Sequence, residues 1–359
     1  MNMRTGYANL PLHYGHTPRW LFEEMKRLSR EIIKIVIYEF GREEFLRRIS
    51  DPFWFQGFSC VIGFDWHSSG TTTVTSGVLK EVIDPEEFGI GVAGGKGRAS
   101  RKASKEIESI GEELSLSTKK IEELKYSSKM SAKVDNTALQ DGYNLYHHIF
   151  IFTEKGEWSV IQQGLNPENK YARRYHWLSD NVKSFVEEPQ SAICCDVKGK
   201  ALNMVAKESK ESRKASVDLV KDNPSRLKKY FSKQTTLFNY GFSMPRNHHI
   251  QLKNFKSLMN IYEFQPRNYE ELLSINGVGP KTVRALALLS DLIYGARPSW
   301  NDPVKYSFAH GGKDGMPYPV NGETMEKSIE ILRTGIEEAK IGNGEKLKAL
   351  RRLKDFIMV

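Results

Sequence analysis

Residues 143–164 commit part of this chain to a β-sheet. Asn144, Leu145, Tyr146, His147, His148, Ile149, Phe150, Ile151 and Phe152 form one run, and Trp158, Ser159, Val160, Ile161, Gln162 and Gln163 form another, with Glu154, Lys155, Gly156 and Glu157 at the bend. Apolar, β-branched and aromatic runs on either side of a glycine-containing turn read as a β-hairpin. Helical patterning brackets it. Trp20, Leu21, Met25, Leu28, Ile32, Ile35 and Val36 recur at helical spacing behind the start signal Thr17-Pro18, and strong helical periodicity returns near residue 254. The expected class is a mixed α+β fold: an N-terminal α/β region whose sheet contains the hairpin, then a C-terminal all-helical domain.

The chain has 359 residues, room for two or three domains with their own cores. The pattern divides it into an α+β region at 1–197 that carries the candidate chemistry, a basic connector at 198–245, and a helical domain at 246–359. The connector reads as helical and partly flexible, because Lys and Arg crowd residues 207–233 among few large apolar side chains. Within the first region Phe53-Trp54-Phe55 and residues 60–64 read as strand or buried segments, and Thr71-Thr72-Thr73-Val74 as a β-branched run. Gly94-Gly95-Lys96-Gly97 reads as a flexible turn, or as a loop that touches a phosphate backbone with help from Arg98, Arg101 and Lys102. The cysteines are Cys60, Cys194 and Cys195, a set without zinc-knuckle or disulfide spacing that suits a reducing cytosol. No secretory leader and no apolar run approaching 18 residues is present, so the expectation is a soluble cytoplasmic protein with no membrane partner.

Lys and Arg number 53 against 44 Asp and Glu, a net charge of +9 that suits a polyanionic partner. One stretch makes that partner specific. Residues 269–275 read as a short helix, Asn276-Gly277-Val278-Gly279-Pro280 as a tight turn, and residues 281–294 as a second helix that ends at Gly295. Gly277 and Gly279 are expected to take backbone angles denied to other residues and to let a phosphate approach the main chain. Val278 pins the turn to both helices. Lys281 and Thr282 open the second helix, where amides and the helix dipole favour an anionic oxygen. Such contacts position nucleic acid without reading its sequence.

The stretch from about 269 to 295 resembles the helix-hairpin-helix family. That resemblance implies a DNA partner, duplex or single-stranded. The surroundings also resemble the base-excision glycosylases built on this hairpin, which implies a lyase-like pair of Lys281 and Asp302. After Asp302 the sequence departs from that superfamily, and it has no four-cysteine loop, so no iron–sulfur cluster is expected. Across the whole chain, Leu10-Pro11-Leu12-His13, Asp51-Pro52-Phe53-Trp54-Phe55-Gln56, residues 63–70, Gln140-Asp141-Gly142-Tyr143, residues 172–177 and residues 309–315 together resemble an archaeal and bacterial domain-of-unknown-function family, number 763. That resemblance brings no activity with it.

The chemistry must therefore come from residues. Asp65 and His67 sit beside Ser68 and Ser69 at an expected strand end, while Asp135, Asp141, His147 and His148 lie before and within the first hairpin strand. Strand alternation puts Leu145 and His147 on one face and Tyr146 and His148 on the other. Carboxylates and imidazoles meeting in one cleft would hold Mg2+ or Mn2+ and orient water for attack on a phosphodiester, with Lys129 or Lys133 offsetting charge on the phosphate. The second strand offers Gln162 and Gln163 where a nuclease would be expected to place carboxylates and lysines. Arg173, Arg174, Tyr175, His176 and Trp177 are candidates for stacking on bases and contacting phosphates, and His310, Lys313 and Asp314 form a glycine-flanked loop. The leading expectation is a DNA-binding repair enzyme, a metal-dependent nuclease with Asp65, His67, Asp135, Asp141 and His147 as its catalytic set. The alternatives are the glycosylase-like enzyme and a non-catalytic DNA- or RNA-binding protein. A homodimer is among the expected assemblies.

Overall fold

The computed structural model describes residues 17–64, 68–195, 199–222, 224, 255–304 and 322–358. Asp65, His67 and the 310–315 loop with Lys313 therefore lie outside the described residues, as does the connector from 225 to 245.

The expected first helices form as α1 (Arg19–Phe40) and α2 (Arg42–Ser50). The next two elements correct the sequence reading, because residues 53–62 and 69–82 are helical. Helix α3 (Pro52–Ile62) starts with Asp51 accepting the Trp54 amide and Pro52 in its first turn, and every one of its residues is buried. A helix covered all round loses the apolar stripe that betrays helical period, so its aromatic run imitates a strand. Helix α4 (Ser69–Val82) starts with a capping box between Ser68 and Thr71. That local cap and the burial of Thr71, Thr72 and Thr75 override the weak β preference of threonine.

After α5 (Pro85–Phe88) come β1 (Ile90–Lys96), α6 (Ala103–Glu113), α7 (Thr118–Lys133), a π-turn at Val134–Ala138 and the short β2 (Leu139–Gln140). Then β3 (Asn144–Thr153) and β4 (Trp158–Leu165) form the expected hairpin, followed by β5 (Ala172–Leu178), β6 (Ala192–Cys194), β7 (Lys200–Asn203) and α8 (Lys210–Lys221). The last described elements are α9 (Phe255–Phe264), α10 (Tyr269–Ser274), α11 (Pro280–Tyr294), β8 (Ser299–Asn301), α12 (Gly322–Glu338) and α13 (Asn343–Met358). The main sheet is antiparallel in the order β1-β3-β4-β5-β6, and a second sheet runs β2-β7-β8.

Helices cover both faces of the main sheet. Ile149, Ile151 and Ile161 join a core with Ile32, Trp54, Phe58, Leu332 and Leu353, so the last two helices close over α1 and α3. Phe150, Phe152, Val160 and Trp177 join the opposite core with Leu124, Val220, Leu273 and Leu286. The boundaries drawn from sequence are crossed by this packing. In the described part of the connector, Val217, Leu219 and Val220 are buried, and the Arg213 guanidinium donates to the Met204 and Ala206 carbonyls. The C-terminal region is not wholly helical either, since β8 pairs with β7. No helix among the described residues is long and apolar enough to cross a membrane.

The glycine-rich stretch is an edge strand rather than a loose turn. Gly94 and Gly95 have φ of +97° and +139°, and a Cβ on Gly94 would stand 2.2 Å from the His148 carbonyl oxygen. The Gly94 amide donates to Glu106 at 2.7 Å and its carbonyl accepts from Lys80 at 2.8 Å, while Lys80 and Glu106 pair at 2.6 Å. Gly94→Ala is therefore expected to lower unfolding free energy by roughly 2–4 kcal/mol in a denaturant titration. Gly97→Ala, at φ +61° with nothing within 4 Å of its Cβ, should cost only about 1 kcal/mol. Equal losses at the two positions would refute the close strand contact.

Candidate functional site

The helix pair expected at 269–295 is present. Asn268 accepts the Glu271 amide at 2.8 Å to start α10, and Val278 is 2 % exposed between α10 and α11. Gly277 has φ +91°, the left-handed region that favours glycine. Gly279 corrects the expectation that both glycines need special angles: its φ of −129° and ψ of −175° are extended backbone, and nothing lies within 4 Å of a Cβ built there. Asn276, Gly277, Pro280 and Lys281 face solvent, and Thr282 is buried. The turn is held from beneath. The Lys133 ammonium donates to the Val278 carbonyl at 2.6 Å and to the Ile275 carbonyl at 3.1 Å, and the Gln140 amide donates to the Pro280 carbonyl at 2.7 Å. Lys133, expected to offset charge on a phosphate, instead clamps the turn. Its pKa is lowered first by burial and then by Lys129.

Helix α7 connects this turn to a pocket of about 570 Å³ lined by Arg101, Ser128, Lys129, Tyr146, His147 and His148, among others. Ser128 Oγ lies 2.8 Å from His148 Nε2, His148 Nδ1 lies 2.9 Å from Gln162 Oε1, and Gln162 Nε2 donates to Asp135 at 2.6 Å. The Trp177 indole and the Gln190 amide donate to the same carboxylate at 2.8 and 2.6 Å. Burial pushes the Asp135 pKa up to about 8, against the downward pull of those donors. Burial also depresses His148 to about 4.

His147 and His148 take opposite faces, as alternation requires, but Tyr146 does not follow it. A bulge between Leu145 and His147 brings the Tyr146 hydroxyl to the Gln163 amide, and Gln163 is the register partner of His147 rather than His148. His147 is 1 % exposed, and neither of its ring nitrogens has a hydrogen-bond partner among the described residues.

The remaining candidates are spent on structure. Arg173 is 1 % exposed and joins Asp141 at 2.7 Å to both oxygens of Asp302 at 2.9 and 2.8 Å. Tyr175 donates to Asp141 at 2.7 Å, and the Gly199 amide donates to Asp302 at 2.9 Å. Arg174 is fully buried, with its guanidinium over the Phe55 ring and its Nε donating to His176 Nε2 at 2.9 Å. Both arginines lie on β5, an interior strand buried along its whole length, so neither offers a surface to a phosphate. Trp177 and Tyr175 are core side chains, not stacking platforms.

Asp302 is held by Arg173, and no contact brings it to Lys281, which is exposed at the start of α11. Lys96 is exposed at the end of β1 opposite His147. Among the described residues no group of three or more His, Cys, Asp or Glu is placed to hold a metal ion. Asp135 and Asp141 do not fit Mg2+ or Mn2+, because their oxygens already serve amide, indole, phenol and guanidinium donors.

Sequence reasoning missed Ser128, Gln162 and the role of Lys133. The hairpin register would have found Gln162, which stands directly across from His148. Nothing local marks Ser128 or Lys133.

A family model described as "Protein of unknown function (DUF763)" matches residues 6–320. No curated protein and no solved structure was found to match the chain.

The orphaned imidazole gives a pH prediction. Burial first, then the charges of His148 and Lys96, depress the His147 pKa to about 3, below the ordinary 6.5. The unfolded chain thus protonates first, so this group's contribution to stability is lost as pH falls from about 6.5 toward 3. Asp135, raised by burial, works in the opposite sense, which a difference measurement removes. His147→Leu is expected to equal or exceed the native chain in stability at pH 7, and to gain on it by on the order of 1 kcal/mol per pH unit below about 6. A difference that stays constant between pH 7 and 4.5 in denaturant titrations would contradict the buried neutral imidazole.

Proposed function

This chain belongs to the DUF763 family, and we propose that it is a nucleic-acid-binding protein of DNA processing that grips a sugar-phosphate strand at the turn between α10 and α11. The observation that carries the reading is a turn that faces solvent while its carbonyls are clamped from inside by Lys133. A preset turn loses little freedom when a strand docks. The first turn of α11 has amides without intrahelical acceptors, and its N-cap, Gly279, supplies no side chain to occupy them. Lys281 adds a charge beside them, and the helix dipole has the same sign.

The same strand then reaches the pocket. Lys129 precedes Lys133 by one helical turn, about 6 Å along the axis. Lys96, Arg101, Lys129 and Lys281 make no ion pair with any described residue, so their charge is available to an anion. Lys125 differs, being paired with Glu108 and Glu122. The expectation of a metal-dependent nuclease gains nothing from Asp135 and Asp141, so the reading rests on backbone binding.

Gly279 separates binding from folding. Gly279→Leu fills open space with an ordinary backbone, so its thermal midpoint should match the native chain while affinity for labelled single- or double-stranded DNA falls at least tenfold. Lys281→Glu should weaken binding and lower the slope of log affinity against log salt by about 1. Fluorescence anisotropy across a salt series checks both. Native-like affinity in Gly279→Leu, or no salt-dependent binding by the native chain, would refute the reading.

A further inference from the structure

We propose that Ser128 is a nucleophile, activated by His148, that attacks a phosphodiester laid across the pocket on α7. The substrate class rests on the nucleic-acid reading above; the reactivity of the serine does not.

Trp177 Nε1 can only donate, and the amide nitrogens of Gln162 and Gln190 donate to the same Asp135 carboxylate. With its nitrogen on Asp135, the Gln162 amide turns its oxygen toward His148. An amide oxygen can only accept, so His148 Nδ1 must carry the proton. Nε2 is then the lone-pair nitrogen, and it faces the Ser128 hydroxyl at 2.8 Å. A base held in the right tautomer by a third group, with a hydroxyl in reach, is the arrangement that activates serine.

The serines around it show what an ordinary helical hydroxyl does here. Ser127 donates to the Glu123 carbonyl at 2.9 Å, and Ser131 donates to the Ser128 carbonyl at 3.0 Å. Ser128 turns instead to an imidazole, and both line a cavity large enough for a nucleotide unit, with Lys129 and Arg101 also in its wall.

In the reaction the Ser128 oxygen forms a bond to phosphorus, and the phosphorus–oxygen bond to one sugar breaks. The serine proton passes to His148 Nε2, and the departing sugar oxygen, in line on the far side of phosphorus, takes a proton from water. A phosphoserine ester to the other strand end remains. Water then attacks phosphorus from that far side, losing its proton to solvent, and His148 returns its proton to Ser128 as the phosphorus–serine bond breaks. Lys129 and Arg101 offset charge on the phosphate oxygens.

The test uses the full chain. It is incubated with end-labelled single- and double-stranded DNA, denatured, and examined for label carried by the protein, with the attachment mapped by peptide mass. In parallel the chain is treated with a fluorophosphonate, which reports serine reactivity without any need for DNA. The expected result is a phosphoester on Ser128, its loss in Ser128→Ala, and a rate at least 100-fold lower in His148→Ala. Gly279→Leu should lose the DNA adduct yet keep fluorophosphonate labelling, which separates failure of the binding reading from failure of this one. Labelling of Ser128 by the probe, with no adduct from DNA that is demonstrably bound, overturns the phosphodiester substrate. No probe label on Ser128 in the native chain, or DNA turnover unchanged in Ser128→Ala, overturns the nucleophile.

Discussion

A sheet covered by helices on both faces leaves its polar side chains no water, and that constraint arranges nearly everything else in this molecule. Along β5 every residue is buried, including Arg173, Arg174 and His176. A buried charge without a partner is costly enough that the chain must supply one from elsewhere. Asp141 and Asp302 do this for Arg173, and in doing so they tie the strand after the π-turn to the segment after β8. Asp135 plays a similar part on the same face, drawing donors from β4, β5 and residue 190 onto one carboxylate. Polar residues that look like surface chemistry in the sequence are thus the cross-links of a dry interior.

This explains which features were legible. The β3–β4 hairpin was, because alternation and turn composition are local. The α10–α11 turn was, because glycine, proline and leucine spacing is local too. Helices α3 and α4 were misread although their caps are present in the sequence: Asp51-Pro52 and Ser68 with Thr71 are helix-start signals, but aromatic and β-branched runs outweighed them. The arginine pair was misread for a different reason. The partners of Arg173 lie 32 and 129 positions away, so nothing in the neighbourhood of Arg173-Arg174-Tyr175-His176-Trp177 distinguishes a buried clasp from a phosphate contact. The two glycines of the turn show the limit of composition, since Gly277 is needed for its angle and Gly279 only for its missing side chain.

Alternation alone was also insufficient at the candidate site. It separated His147 from His148 correctly, yet the bulge at Tyr146 moved one hydroxyl to the other face and left Ser128 beside His148 without a competitor from its own strand. The same β3 segment meets Gly94 on β1, where main chains approach too closely for any side chain. The pocket lies past the end of β1, between Ser100 and Arg101 of the turn at Ala99–Lys102 and helix α7.

Helix α7 makes a single unit of pocket and turn. Its side chains divide by position: Ser128 meets the histidine, Lys129 lines the pocket, and Lys133 enters the turn. Because one rigid element carries all three, the distance between the α10–α11 turn and the Ser128 hydroxyl is set by helix geometry rather than by a hinge. Lys133 is half-buried and makes the turn's conformation depend on α7 remaining helical to its last residue, which the following π-turn and buried Asp135 enforce. Asp135, which holds the Gln162 amide against His148, therefore also sits at the end of the helix that holds the turn, so the binding and the chemistry proposed above share one buried anchor.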